Sequence, residues 1–229
     1  TLQQSSAASD VYKRQVQMSE ELDLIIPRGS NELVQSIQAR AQVPVLGHAD
    51  GICHVFIEAN ADPEKARKVV LDSKTDYPAV CNALETLLVD RELSSELLKK
   101  IMEDLVRAGV EIRACPDTQK KLEGHSQLEM GNASEEDWKT EHLEMVLSVK
   151  TVAGLEDAIQ HINRYGSNHT DSIVTESHET AERFMNEVDS AGVFWNASTR
   201  FADGFRYGLG AEVGAVSYTH LRAHETGWY

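Results

Sequence analysis

The sequence predicts an α/β fold in which helices cover a mostly parallel sheet. From about residue 22 onwards, short apolar runs alternate with segments of helical periodicity. Several of the runs are typical of strands buried on both faces, as in parallel sheets that carry helices on each side. The chain has 229 residues, of which 41% are hydrophobic and 26% charged, so it can bury a sizeable core. This alternation of strands and helices therefore indicates an α/β protein.

The first elements follow from apolar spacing and from capping residues. After the run LDLIIP, the segment SNELVQSIQAR has its apolar residues at helical spacing and predicts a helix. Asp62 is a typical N-cap and Pro63 a typical first-turn residue, so a second helix is predicted from about Pro63 towards Lys74. The strands predicted in this part are LDLIIP, VPVL and ICHVFIE.

The rest of the chain continues the alternation. A middle helix is predicted to end at Gly109, and two later helices are predicted to close at Gly166 and near Gly192. From Asp117 to about Lys139 the chain is polar, which predicts an exposed excursion. The strands predicted in this part are VEIRAC, LEMVLSVKTV, DSIVT and GVFWN.

Charge and composition argue against several classes of function. A net charge of -15 argues against a nucleic-acid surface, because phosphate binding needs clustered Lys and Arg. No apolar run approaches the roughly 18 residues of a membrane span, and the polar start TLQQSSAASD lacks the core of a signal peptide. We expect a cytoplasmic or mitochondrial protein that is not secreted. Cys53, Cys81 and Cys115 lack the CxxC spacing of a zinc site or redox pair, so reduced thiols and no metal are expected.

Five segments of the sequence carry a family resemblance. In chain order they are LDLIIPRGSNELV, VLGHADGICHVFI, DYPAVCNALETLLV, YGSNHTDSIVT and VDSAGVFWNASTRFADGFRYGLGAEVG. They resemble signature blocks of γ-glutamyl phosphate reductase, or glutamate-5-semialdehyde dehydrogenase, of the aldehyde dehydrogenase superfamily. The likeness covers about residues 18–214. GHADGICHVFI and FRYGLGAEVG look closest to the reductase half of bifunctional Δ1-pyrroline-5-carboxylate synthase, in which a glutamate kinase domain precedes the reductase.

The resemblance implies a truncated aldehyde-dehydrogenase-like fold. It implies a remnant of an NADPH-binding domain, a catalytic domain, and a return segment with a substrate-tunnel loop, at residues 16–55, 56–195 and 196–214. Residues 1–15 and 215–229 resemble translated sequencing-adapter sequence and are expected to be non-native flanks. We expect the natural protein to be longer at both ends, to form homo-oligomers, and to have a fused or separate glutamate kinase as a possible partner.

The implied reaction reduces γ-glutamyl phosphate to glutamate 5-semialdehyde with NADPH and releases phosphate. A thiolate can displace the phosphate and hold the acyl group as a thioester, which then accepts the hydride. Cys81 matches the nucleophile of the family. A helix beginning at Asn82 would point its amides at the sulfur, lowering the pKa of the thiol and stabilising the oxyanion.

Residue type and spacing alone leave the role of Cys81 open. Free cysteine is among the most buried residue types, and spacing alone favours a buried thiol, whereas the family match favours the nucleophile. Cys53 and Cys115 keep the interpretation of buried thiols. Oxidising relatives carry a base glutamate at a place that falls near Gly47 and His48, where this chain has no carboxylate. His48 remains an alternative base or a turn residue.

The other candidate site residues also have alternatives. PRGS could hold a cofactor phosphate or simply form a strand-to-helix turn capped by its serine, and Arg28 is a candidate contact for the adenosine phosphate of NADPH. Glu141 resembles the glutamate that holds the nicotinamide ribose, but it could be a solvated acid. NASTRF offers anion donors for the substrate's α-carboxylate, or is a turn with a surface arginine. The expected cofactor residues are Arg28, Gly29, Ser30 and Glu141, and the expected substrate residues are Asn196, Ser198, Thr199 and Arg200.

Two rival functions remain open at this point. An aldehyde-oxidising relative would need a carboxylate near the thiol, and Glu85 aimed at the sulfur would favour it. A catalytically inactive assembly module of the same fold would keep an inert thiol. In the superfamily most of the cofactor domain precedes the part represented by this chain. We therefore expect the chain to bind NADPH poorly and to turn over little.

Overall fold

The computed structural model describes residues 14, 16–27, 31–46, 51–124 and 128–210. The chain divides into two compact units, one made of residues 1–50 and 213–229 and the other of Gly51–Glu212. No helix in the described part of the chain is both long enough and apolar enough to cross a bilayer.

The first unit contains helix α1, Asn31–Gln38, as the apolar spacing predicts. Val34 and Ile37 of this helix are buried. The strands predicted for LDLIIP and VPVL are wrong, since these segments share only an isolated parallel bridge between Ile25 and Val45. A strand needs a continuous ladder of partners, and the described residues of this unit provide one pair.

The second unit is built on a seven-stranded sheet in which every pairing is parallel. The strands are β1 Cys53–Ile57, β2 Leu84–Asp90, β3 Glu111–Ala114, β4 Met130–Asn132, β5 Val146–Val152, β6 Thr170–Val174 and β7 Gly192–Trp195. The strand order is β4-β3-β5-β2-β1-β6-β7, which confirms the predicted α/β class. The central strands β1 and β2 are buried along their whole length, as continuous apolar runs require in a sheet covered on both faces.

Helices and short 3-10 turns connect these strands. The helices are α2 Pro63–Thr75, α3 Ser95–Arg107, α4 Pro116–Lys121, α5 Leu155–Tyr165 and α6 His178–Glu187, and the 3-10 turns are Asp137–Lys139 and Thr199–Phe201. The side chain of Asp62 caps α2 by accepting a hydrogen bond from the backbone N–H of Lys65 at 2.8 Å. Gly109 has a φ of 88° after the end of α3, which confirms the predicted left-handed residue.

The helices bury the two faces of the sheet in separate hydrophobic clusters. On β1, Val55 and Ile57 belong to the cluster that contains α2 and α3, whereas Phe56 belongs to the cluster with α5 and α6. Successive side chains of a strand point to opposite faces, so each face receives its own helix pair. Packing on both faces holds the central strands in place, and with them the ends of the loops that lead into these strands.

Two local predictions differ from the structure. The polar stretch from Asp117 to Lys139 is mostly exposed or half-buried where it is described, but it also contains most of α4, the short strand β4 and a 3-10 turn. The helix α6 ends at Glu187, and Gly192 instead begins strand β7. The predictions for α2, α3, α5, β1, β3, β5, β6 and β7 are confirmed in their main extent.

Candidate active site

Cys81 lies on the turn between α2 and β2. Cys81 itself is exposed, whereas Asn82 beside it is buried. The helix expected to begin at Asn82 is absent, because the chain turns there and enters strand β2 at Leu84. β2 pairs on both sides with central strands, so the run LETLLVD forms a strand. A helix beginning at Asn82 therefore does not supply amides to this sulfur.

The segment that enters β1 forms the floor beneath Cys81. A Cβ atom placed on Gly51 would lie 2.1 Å from the Cys81 carbonyl oxygen and 2.5 Å from its Cα. The Cys53 thiol donates a hydrogen bond to the same carbonyl oxygen at 3.2 Å. Only glycine allows the backbone to approach this closely. Gly51 and Cys53, at the start of β1, thus fix the position of the Cys81 turn.

The two other cysteines differ from Cys81. Cys53 is fully buried, and burial raises the pKa of its thiol well above the ordinary value, with Asp171 adding to the effect. The prediction of a buried thiol is confirmed for Cys53. Cys115 is half-buried, with its sulfur 3.2 Å from the Thr118 hydroxyl.

Arg200 joins the two ends of the Cys81 turn. Its Nε donates to the carbonyl oxygen of Asp76 at 2.5 Å, and its Nη1 donates to the Asn82 side-chain oxygen. The Asn82 amide nitrogen donates in turn to the carbonyl oxygen of Ala202 at 2.9 Å. The arginine predicted from NASTRF therefore reaches the candidate site, but two of its donor groups bind the protein itself.

The other residues of NASTRF are less accessible. Ser198 is buried, and its hydroxyl oxygen accepts from the Ser73 hydroxyl of α2 at 3.0 Å. Thr199 is fully buried, and its hydroxyl has no hydrogen-bond partner within the described residues. Asn196 follows the carboxyl end of β7, and its side chain binds both backbone groups of Thr175. Cys81 precedes the amino end of β2. Because all the strands are parallel, Asn196 lies towards the carboxyl ends of the strands and Cys81 towards their amino ends.

Glu141 also contacts Gly51. Its Oε1 accepts a hydrogen bond from the Gly51 backbone N–H at 2.9 Å. The side chain is half-buried and engaged with the backbone, which differs from a freely solvated acid. Cys81 and Glu141, which are 60 positions apart in the numbering, therefore meet the same glycine.

A buried ion pair beneath the turn was not predicted from the sequence. Lys74 Nζ lies 2.9 Å from Glu85 Oε2, and both side chains have no exposed surface. Glu85 Oε1 accepts from the backbone N–H of Leu143 at 3.1 Å. Burial raises the pKa of Glu85 to about 7, although Lys74 opposes that rise. A carboxylate inside the apolar run LETLLVD was the available signal, because a buried charge needs a partner.

The contacts of Glu85 bear on the oxidising rival. Each carboxylate oxygen has its own partner, Lys74 for one and the Leu143 backbone for the other. A base that activates water must reach the sulfur region with a free oxygen. The arrangement that would favour an aldehyde-oxidising relative is therefore not seen at Glu85.

Some predicted residues lie outside the described part of the chain. These are the cofactor candidates Arg28, Gly29 and Ser30, together with His48. His169, to which the sequence assigned no role, has its Nδ1 2.8 Å from the Thr170 hydroxyl and 4.0 Å from the Cys53 sulfur. Among the described residues, no group of three or more His, Cys, Asp or Glu side chains could hold a metal ion.

Comparison with known proteins gives sequence and structural relatives. No protein-family model matches the chain. The chain is similar to the γ-glutamyl phosphate reductase of Acetivibrio thermocellus, with 53% identity over 208 residues that cover 90% of this chain and 47% of that protein. The crystal structure of γ-glutamyl phosphate reductase from Thermotoga maritima matches with a TM-score of 0.85 and 39% identity, over 93% of this chain and 50% of that one.

A more distant structure shares the fold. The 1-pyrroline-5-carboxylate dehydrogenase from Thermus, solved with bound NAD, has a TM-score of 0.62 at 15% identity and covers 78% of this chain and 43% of that chain. At this identity the likeness concerns the fold alone. The chain spans about half the length of the curated relatives it matches.

Proposed function

We propose that this chain is part of a γ-glutamyl phosphate reductase and carries the nucleophile of that enzyme, as its similarity to the relatives supports. The full protein would reduce γ-glutamyl phosphate to glutamate 5-semialdehyde in proline biosynthesis and release phosphate. One observation carries the proposal: Cys81 is exposed on a turn whose backbone rests on Gly51. An exposed thiol on a fixed backbone suits covalent catalysis.

Cys81 acts as the acyl acceptor in the proposed reaction. Its thiolate attacks the γ-carbonyl carbon, the bond to the phosphate oxygen breaks, and phosphate leaves with the bonding electrons. A nicotinamide cofactor, when bound, supplies the hydride for the thioester carbonyl. The tetrahedral adduct then expels the Cys81 thiolate and releases the aldehyde.

Asn82 is proposed to stabilise the oxyanion through its backbone N–H. The side chain is committed to Arg200 and to the Ala202 carbonyl oxygen, so it serves to fix the turn. The N–H directly after the nucleophile is a suitable donor towards oxygen bound at the acyl carbon. This assignment keeps the expected residue and its backbone N–H, but without the helix that was expected to begin there.

A nicotinamide cofactor is supported by the fold, since the distant dehydrogenase was solved with bound NAD. We propose NADPH as the natural cofactor. The Glu141 carboxylate suits hydroxyl groups of a ribose, and its contact with Gly51 brings it near the Cys81 turn. Arg28, Gly29 and Ser30 are proposed to bind the cofactor phosphates.

Arg200 has the best support among the four proposed substrate residues, because it contacts the Cys81 turn directly. Ser198 and Thr199 are buried against α2, and Asn196 is bound to Thr175. We propose that these three support the segment, while Arg200 provides positive charge towards the carboxylate end of the substrate. A homo-oligomer and a fused or separate glutamate kinase remain proposals for the natural protein.

Acylation of the thiol tests the central step without any cofactor. The chain is incubated with γ-glutamyl phosphate that a glutamate kinase generates from glutamate and ATP, and the mass of the intact protein is followed. We expect one glutamyl group on Cys81, none on the Cys81→Ser variant, and normal labelling of the Cys115→Ser control. Acylation that persists in Cys81→Ser would contradict the proposal.

Thiol reactivity separates the enzyme from an inactive assembly module. Iodoacetamide at neutral pH should label Cys81 at least about tenfold faster than Cys53, because Cys53 is buried and its pKa is raised. Peptide mass spectrometry over a time course measures both rates. Equal, slow labelling of the two cysteines would support the inactive module.

Complete turnover needs more than the acylation of Cys81, because the hydride must also come from a bound cofactor. Because the chain spans about half of its relatives, we propose that it forms little or no semialdehyde alone, whereas the uninterrupted reading frame does so with NADPH. Oxidation of NADPH, followed by absorbance together with semialdehyde formation, measures both proteins. Brisk turnover by the 229-residue chain would contradict the proposed dependence on the part of the relatives that this chain does not span.

A further inference from the structure

Lys74 and Glu85 stand at the two ends of the loop that carries Cys81. Lys74 is near the end of α2 and Glu85 is the second residue of β2. Their charged atoms are 2.9 Å apart and fully buried. Removing one partner of such a pair leaves a buried charge unpaired, which is strongly unfavourable. The pair therefore closes the base of the loop.

The second oxygen of Glu85 extends the connection to another segment. It accepts from the backbone N–H of Leu143 at 3.1 Å, and Leu143 has a φ of 57°. A leucine in the left-handed region is unfavourable and persists only where its surroundings hold it. The hydrogen bond to Glu85 is one of those restraints. The segment it holds begins two residues earlier, at Glu141.

The connection returns to the nucleophile through Gly51. Glu141 accepts from the Gly51 N–H at 2.9 Å, and Gly51 lies directly against the backbone of Cys81. Cys81 and Glu141 are thus connected twice, once through Gly51 and once through Glu85. Two connections restrain their relative position better than one, provided that each is rigid.

We propose that Lys74 and Glu85 are positioning residues, and that one buried carboxylate holds the Cys81 loop and the Glu141 segment in a fixed relative position. The inference rests on the proposed roles of Cys81 and Glu141. It differs from an ordinary core ion pair because it joins two functional segments rather than contributing to stability alone. Lys74, Glu141 and Cys53 are the charged or titratable groups that interact with this carboxylate.

The chemistry of an amide gives a sharp test. In Glu85→Gln the single amide oxygen can accept from Lys74 or from the Leu143 N–H, but not replace both carboxylate oxygens. We therefore expect hydrogen exchange to rise by about tenfold in at least one of the segments 76–83 and 140–145. In Lys74→Met/Glu85→Gln the oxygen is left to Leu143, so segment 140–145 should be protected as in the wild type, whereas 76–83, which has lost the ion pair, should exchange faster than in the wild type.

A second readout reports on the sulfur itself. The rate of Cys81 alkylation by iodoacetamide, measured across pH, should shift in Glu85→Gln and stay shifted in the double variant. Asp137→Asn is the matched control, because it breaks the ion pair that the buried Asp137 forms with the partly exposed Arg113 on a different segment. It should leave both the exchange of residues 76–83 and the Cys81 profile unchanged. The double variant carries no unpaired buried charge, so it remains informative if Glu85→Gln fails to fold.

The outcomes distinguish this inference from the proposed function. The positioning role would be overturned if both Glu85 variants kept the wild-type exchange and alkylation rates. It would also be overturned if Asp137→Asn changed the exchange of residues 76–83 and the alkylation of Cys81 as much as they do. Neither measurement uses substrate or cofactor, so the result stands apart from the acylation test. Failure of acylation together with the expected exchange pattern would remove the proposed function and leave a structural link between the two segments.

Discussion

Gly51 determines how closely the nucleophile turn can approach the sheet. The residue stands within GHADGICHVFI, where the sequence offers no turn or periodicity that would single it out from Gly47. Its importance comes from a contact 30 positions away in the numbering, since its Cα faces the backbone of Cys81. Such a contact becomes visible only after β1 and β2 have paired.

Gly51→Ala should destabilise the protein and displace the Cys81 turn. The new Cβ would lie 2.1 Å from a carbonyl oxygen and 2.5 Å from a Cα, both of which are backbone atoms that cannot rotate away. Overpacking of this kind costs about 1 to 3 kcal/mol. Urea titration measures the free energy of unfolding, and iodoacetamide labelling measures the accompanying change at Cys81.

Gly131→Ala is the control for that change. A Cβ at Gly131 would meet its nearest neighbours at 3.7 Å, which is ordinary contact. Its effect on the free energy of unfolding should therefore be small or stabilising, within about 1 kcal/mol. Equal losses in the two variants would contradict the argument from close approach.

Elements with strong periodicity were predictable, and the element that carries the site was not. The helix from Pro63 and the helix before Gly109 follow from capping residues and apolar spacing, and both are confirmed. The helix expected at Asn82 is wrong because LETLLVD has a place between two parallel partners, β1 and β5. Pairing between distant strands decides the structure there, and local sequence does not encode it.

The polar stretch from Asp117 to Lys139 was only partly predictable from the sequence. β4 has the sequence MGN and exists because its backbone pairs with β3, not because its side chains favour a strand. Asp137 is buried in this stretch, although neighbouring acids are exposed. Its partners are Ser134, from three residues earlier, and Arg113 of β3. Polar composition predicted exposure, while the hydrogen bonds of one carboxylate order the segment.

Asp137 should make the stability of the protein depend on pH in the acid range. Burial would raise its pKa, but hydrogen bonds from Ser134 and Arg113 outweigh burial and hold the pKa at about 2. Because this value lies below that of the unfolded chain, the stabilisation is present above about pH 4 and is lost as the pH falls towards 2. Asp137→Asn should remove about 1 to 2 kcal/mol at neutral pH and flatten this part of the profile.

Chemical denaturation at several pH values between 2 and 6 tests the effect of Asp137. Glu136→Gln is the control, because it neutralises the adjacent exposed carboxylate and should retain the wild-type dependence. An unchanged acid profile in Asp137→Asn would show that the carboxylate does not order the excursion.

The whole molecule combines a predictable class with an unpredictable site. Alternating apolar runs and helical segments were enough to predict the α/β class, and the parallel seven-stranded sheet confirms it. The signature blocks indicated a resemblance to γ-glutamyl phosphate reductase, and the relatives confirm that resemblance. The link from Glu85 to Leu143 and from Glu141 to Gly51 could not be predicted, because each contact joins segments far apart in sequence.

The second unit, Gly51–Glu212, should fold when produced alone. It contains all seven strands and both hydrophobic clusters, which are the features a domain needs for independent stability. We expect one cooperative urea transition with a slope of about 1 to 3 kcal/mol/M, followed by circular dichroism and by the fluorescence of Trp138 and Trp195. Leu88→Ala, at a fully buried site of the central strand β2, should lower the free energy of unfolding by about 2 to 5 kcal/mol and so confirm that the transition reports the core. A gradual change without a transition would mean that this sheet depends on residues outside Gly51–Glu212.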